Sequence, residues 1–162
     1  MGITQPVIGV TAYSMAEKFL GARELTGRQM ANSQVLAMLQ LDVSWPEDDG
    51  VPWCSAFVNY IAWLLDLPRS KSLRARSWLK VGRPVALGNA QRGFDVVILS
   101  RGPSAPGPEV IEAPGHAGFF SFYATELPGA PFVDLLGGNQ DDSVSVKPYP
   151  ASRVLGVRRL LP

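Results

Sequence analysis

One cysteine, Cys54, and one histidine, His116, are all the chain has of either residue type. Together they suggest the sharpest chemistry this sequence could perform. A thiolate attacks a carbonyl carbon, and an imidazole takes the thiol proton and later gives it to a leaving amine. Such a pair needs a third group to hold the imidazole in one tautomer and orientation, and a side-chain amide can do so. Asn139 is the candidate for that role, with Gln140 its alternative if the strand register differs by one residue. Each residue also has a plainer reading. A lone cysteine is often a small buried hydrophobe, and a lone histidine on an apolar strand is often structural. The plainer readings weaken because the two unique residues occupy the two positions the mechanism needs.

The elements that must position these groups follow from periodicity. Cys54 comes just after turn-forming residues (Pro46, Gly50, Pro52) and opens an apolar run. Phe57, Tyr60, Ile61 and Leu64 have the i, i+3, i+4, i+7 spacing of a helix face. Ala56, Val58, Ala62 and Leu65 cover most of the other sides, which predicts a helix buried nearly all round. The thiol then lies in the first turn, where unpaired N–H groups and the helix dipole favour its ionisation. His116 opens a β-rich run, and a second such run follows the turn Thr125-Glu126-Leu127-Pro128-Gly129-Ala130. A hairpin folded about Leu127-Pro128 sets His116 opposite Asn139, Gly118 opposite Gly137, Phe120 opposite Leu135 and Phe122 opposite Val133. Opposed residues share a face of a sheet, so His116 and Asn139 become neighbours. The glycine pair beside them leaves room for a ligand or another backbone.

Before the cysteine, Tyr13, Ala16, Phe19 and Leu20 predict a helix, and Met30, Val35, Leu36 and Leu39 a second one after Gly27. A short helix is expected within residues 72–81. Beyond Pro84 the period changes, predicting strands over 95–100, 116–124, 132–139, 144–147 and 154–160. Helices first and an antiparallel sheet second make the class α+β. The expected organisation is one catalytic domain over 1–162, with a helical part over about 12–82 and a sheet part over about 95–161.

Composition excludes several classes. With 46% hydrophobic and 18% charged residues, the chain reads as globular, and a net charge of +1 draws it toward neither nucleic acid nor membrane. A single cysteine forbids an internal disulfide, and with a single histidine it argues against a zinc site. Glu47, Asp48 and Asp49 form an acidic cluster, but without the alternating spacing of a calcium loop. No metal and no cofactor are expected. Gly-x-Ser-x-Gly, His-Glu-x-x-His and phosphate-loop signatures are absent. From Arg69 to Arg92 the chain carries seven basic residues and no acidic one. Such runs are usually solvated faces. The alternative is a groove in which Arg74, Arg76 and Lys80, beside Trp78, attract an anionic polymer. Trp53, Trp78, Lys80 and Gln140 are the substrate-binding candidates.

Trp53-Cys54-Ser55-Ala56-Phe57-Val58 resembles the Cys-Ser-Gly/Ala-Phe-Val signature of the NlpC-type and CHAP cysteine peptidases and amidases. Gly115-His116-Ala117-Gly118-Phe119-Phe120 is similar to their Gly-His-Val-Gly/Ala strand. Leu136-Gly137-Gly138-Asn139-Gln140, with Tyr149-Pro150 and Leu155-Gly156-Val157-Arg158-Arg159, looks most like a compact phage-associated, endolysin-like branch. The resemblance implies a papain-like fold and hydrolysis of amide bonds in bacterial peptidoglycan. It also implies Cys54 as nucleophile, His116 as base and Asn139 as orienting residue. The Asp that precedes the cysteine in many NlpC-type enzymes, and the Gln that precedes it in many CHAP domains, are both missing, since Trp53 stands there. The expected partner is peptidoglycan, met by a monomer without nucleic acid or stable membrane association. Met1-Gly2-Ile3-Thr4-Gln5-Pro6 lacks the basic start and apolar core of a signal peptide. Synthesis in a host cytoplasm and action on the periplasmic wall after release are therefore expected. A delivered antibacterial toxin with the same chemistry, or a non-catalytic wall-binding module, are the alternatives.

Overall fold

The computed structural model describes residues 9–25, 32–42 and 52–161. Three α-helices come first: α1 (Ala12–Glu17), α2 (Ser33–Leu39) and α3 (Cys54–Leu64). Two of them begin on side chains suited to the task. Thr11 and Ser14 form a reciprocal capping box at α1, and Asn32 accepts from the N–H groups of Gln34 and Val35 at α2. α3 begins at Trp53 with no side-chain cap. The short helix expected within 72–81 is a 3-10 helix, Ala75–Lys80.

Six strands follow: β1 (Arg83–Val85), β2 (Asp95–Ser100), β3 (Gly115–Ala124), β4 (Phe132–Gln140), β5 (Ser143–Pro150) and β6 (Val154–Arg159). They form one antiparallel sheet in the order β1-β6-β2-β3-β4-β5. The class is α+β. The sheet has one strand more than expected, because the three residues of β1 carry no apolar alternation and pair only along β6.

Central strand β2 is apolar on both faces. Val96 and Ile98 join Phe57, Ile61, Phe119, Leu136 and the helices in one core, while Val97 and Leu99 join Phe120, Val133, Leu135 and Val157 in a second. At its start, Asp95 is buried and pairs with Arg159 of β6 at 2.7 Å, a register partner. α3 lies against β3 and β4. Its one polar stripe faces the stretch after the helix: Asn59 Nδ2 donates to Ser70 Oγ and Ser72 O, its Oδ1 accepts from Lys71 N–H, and Ser55 donates to Ser72 O. Close approach of α3 to the sheet requires glycine at 138, where a Cβ would lie 2.6 Å from the Trp53 ring and 2.8 Å from Phe57 Cβ.

The hairpin of β3 and β4 pairs Phe120 with Leu135, as expected, and then slips. A bulge at Ser121 sets Phe122 against Asp134 and Tyr123 against Val133. No described helix is long and apolar enough to cross a membrane.

Candidate active site

Cys54 is the first residue of α3, and its side chain is buried. The N-cap residue, Trp53, makes no side-chain hydrogen bond to the first-turn N–H groups. Backbone hydrogen bonds from Ala117, Ser55 and Cys54 itself favour the thiolate, as does the charge of Arg101. Burial outweighs them and pushes the Cys54 thiol above its ordinary value. The easier ionisation expected from the helix terminus is therefore overturned, since desolvation of a small anion outweighs the fixed dipoles around it.

Ala117, whose N–H meets the thiol, directly follows His116 on β3. His116 is 4% exposed, and its Nε2 lies 2.9 Å from Gln140 Oε1. The surroundings of Gln140 settle which atom donates. Gln140 Nε2 donates to Ser145 O at 2.7 Å and Leu135 O at 3.2 Å, so its oxygen must be the atom facing the ring. Tyr149 Oη–H donates to the same oxygen at 3.1 Å. His116 therefore carries its proton on Nε2 and donates it to Gln140, leaving Nδ1 as the basic nitrogen. Tyr149 also stacks on the imidazole, with ring centroids 5.3 Å apart. Burial pushes its phenol up to about 12, so it stays a donor.

The third residue is thus Gln140, a correction to the expected Asn139 and to the substrate-binding role expected of Gln140. Between Gly137, opposite Ser145, and Gln140, opposite Ser143, β4 holds one residue more than β5. The bulge passes through Asn139 at φ 56° and reverses the alternation, so that residue 140 shares the side of residue 137. Asn139 makes no side-chain hydrogen bond with a described residue. The space at Gly137 is taken by the side chains of the site, where a Cβ would lie 2.9 Å from Gln140 Oε1 and 3.3 Å from His116 Nε2, and a Cβ on Gly118 would lie 3.1 Å from Leu136 O and 3.2 Å from Leu135 Cβ.

Burial also holds the His116 imidazole down to about 4, with smaller contributions from Arg101, Arg153 and Lys147; the Gln140 bond acts the other way. The imidazole is neutral near pH 7 and free to accept a proton. It opens on a cleft of about 560 Å³ lined by Arg101, Asn139, Asp141, Lys147, Tyr149 and Arg153.

The alternative groove of Arg74, Arg76 and Lys80 beside Trp78 does not form. Trp53 and Trp78 are fully buried, each with its indole N–H bonded inside the protein, to Glu24 and Ser55 respectively. Arg76 is fully buried too, donating to the carbonyls of Pro106, Gly107, Val110 and Pro114. Arg69 pairs with Asp42, and Arg92 lies over the Tyr13 ring at 4.8 Å. Lys80 lines a different cleft, with Pro84, Pro108, Glu109 and Arg158. The basic run is spread over several environments, and within its 3-10 segment Arg76 is buried while Lys80 is exposed. The cations at the site, Arg101, Lys147 and Arg153, are scattered in sequence. The one local signal for them is alternation in β5, which puts Lys147 and Tyr149 on the side opposite Val144 and Val146. Glu47, Asp48 and Asp49 lie outside the described residues, as do Met30 and Trp45. Among the described residues, no three metal-ligating side chains cluster. Comparison with protein-family models, with curated proteins and with solved structures finds no match.

Proposed function

We propose that this chain is a cysteine-dependent hydrolase of amide bonds in bacterial peptidoglycan, with a papain-like arrangement and a role in lysis of a bacterial host. The observations that support the reading are a thiol on an uncapped helix N-terminus that meets the N–H of Ala117, and, one residue earlier on the same strand, an imidazole whose tautomer is set by a buried amide. In the reaction His116 Nδ1 takes the Cys54 proton as the sulfur attacks the amide carbon. The first-turn N–H groups of α3 stabilise the oxyanion of the tetrahedral intermediate. The imidazolium, still donating to Gln140, gives its proton to the departing amine and leaves an acyl-enzyme. His116 then deprotonates a water that attacks the thioester, and the carboxylate product leaves as the thiol is restored.

The test is loss of turbidity of outer-membrane-permeabilised cells, together with mass spectrometry of the released muropeptides. Wild type should release products carrying one new amine and one new carboxyl, which identifies the bond cut. Cys54→Ala should abolish release while keeping the circular dichroism spectrum. A folded Cys54→Ala variant that retains even a tenth of wild-type lysis overturns the nucleophile. A wild type that binds sacculi and releases nothing indicates a non-catalytic wall-binding module.

A further inference from the structure

The cleft beside His116 is cationic, and two of its cations have no counter-ion among the described residues. Arg101, Lys147 and Arg153 line it against a single acid, Asp141. Asp141 is already engaged by Lys147 at 2.8 Å. Arg101 is exposed and makes no hydrogen bond or ion pair with a described residue. Arg153 is held but not satisfied. Its Nε–H donates to Ser100 O at 3.0 Å and its guanidinium lies over the Tyr149 ring at 5.2 Å, while its two terminal amino groups have no partner among the described residues. Tyr149 in turn stacks on His116. The chain of contacts from Arg153 through Tyr149 to His116 fixes the free edge of a guanidinium relative to the catalytic base.

We propose that Arg101 and Arg153 form a carboxylate-binding subsite that seats an acidic group of the substrate beside the bond to be cut. The inference rests on the hydrolase reading, which supplies a substrate rich in free carboxylates. Guanidinium favours such a group because its parallel N–H donors match the two oxygens of a carboxylate. Lys147 is the weaker contributor, since Asp141 competes for it. Seating an anion here has a consequence for the base. Arg101 and Arg153 both hold down the proton affinity of His116. A bound carboxylate cancels part of that field, so the imidazole holds a proton more readily while the leaving amine waits for it.

The experiment uses the whole protein and two forms of the same sacculi, native and with carboxylates converted to carboxamides. Hydrolysis is followed with wild type, Arg101→Gln, and Arg101→Gln/Arg153→Gln. Binding is followed by co-sedimentation in a Cys54→Ala background. Wild type should lose roughly tenfold or more in kcat/KM on carboxamide sacculi, the scale of one lost charge-assisted contact. Both Arg variants should lose activity and binding on native sacculi but little further on the carboxamide form. The acid limb of the wild-type pH profile should move to lower pH on carboxamide sacculi. Indifference of wild type to amidation, or equal losses by the variants on both substrates, overturns the subsite. Arg101→Gln alone decides the matter if the double variant misfolds, because Arg101 touches no described partner. If wild type cuts neither substrate, the hydrolase reading fails. The binding arm still judges the subsite: carboxylate-dependent, Arg-dependent sedimentation upholds it and its absence overturns it.

Discussion

At the scale of single residues, the proposed catalytic pair, Cys54 and His116, is held toward a neutral thiol and a neutral imidazole. Burial raises Cys54 and lowers His116, so each is held away from its charged form. Alkylation of Cys54 by iodoacetamide should therefore be slow at neutral pH and rise only above the ordinary thiol range. A plateau of reactivity extending below pH 7 would instead reveal a standing thiolate–imidazolium pair. The orienting role separates Gln140 from its neighbour. Gln140→Ala leaves His116 Nε2–H and Tyr149 Oη–H without their shared acceptor, and should lower kcat roughly 10²-fold, the scale of a misdirected general base. Asn139→Gly should keep kcat within about twofold and stay folded, because glycine adopts the positive φ at that position without cost. Equal damage from both substitutions would return the third role to Asn139.

At the scale of elements, the loop between β2 and β3 is organised by a buried cation. Arg76 projects from the 3-10 helix into residues 106–114 and bonds four carbonyls, including that of Pro114, two residues before His116. A Cβ on Gly115 would lie 3.0 Å from Arg76 Cγ, so the arginine packs directly beneath the start of β3. Arg76→Met keeps most of the volume but removes the charge-assisted hydrogen bonds to these four loop carbonyls, each worth about 1.5–3 kcal/mol. The expected cost is roughly 3 kcal/mol, which lowers Tm by about 6–12 °C in a chain of this size. Differential scanning calorimetry reads it directly. A fall of less than 2 °C would mean, on the same scale, that the loop holds its place without the guanidinium.

At the scale of the whole molecule, the folding equilibrium should carry the signature of its only histidine. His116 is held down to about 4 in the folded chain and returns to its ordinary value of 6.5 when unfolded. Above pH 6.5 both states are neutral and the folded state is fully favoured. Between pH 6.5 and about 4 the unfolded chain binds a proton that the folded chain refuses, so stability falls as pH falls. The loss approaches roughly 3 kcal/mol by the lower limit. Asp134, raised by burial, works in the opposite direction, favouring the folded state in acid. Urea unfolding of wild type and His116→Gln at pH 7 and pH 4.5 checks the assignment. The wild type should lose more stability between the two than the variant, and parallel losses would remove His116 as the cause.

The helix that carries Cys54, four of the five strands expected after it to within two residues, and the α+β class were legible without coordinates. Each rests on local periodicity, and a run such as Phe57, Tyr60, Ile61 and Leu64 states its period in the sequence itself. So did the nearness of His116 to the tip of β4, because a two-strand hairpin joined by a short turn has few registers to choose from. The identity of the third residue was not legible: one extra residue at a bulge exchanges Asn139 for Gln140, and the bulged segment includes Gly138, which packs against Trp53 and Phe57, far upstream. The fates of Trp53, Trp78 and Arg76 were decided in the same way. Side chains of these types serve a groove or a core equally well by composition. Only the assembled fold, which closes over all three, puts them inside and draws Arg101, Lys147 and Arg153 from separate segments to the rim of one cleft.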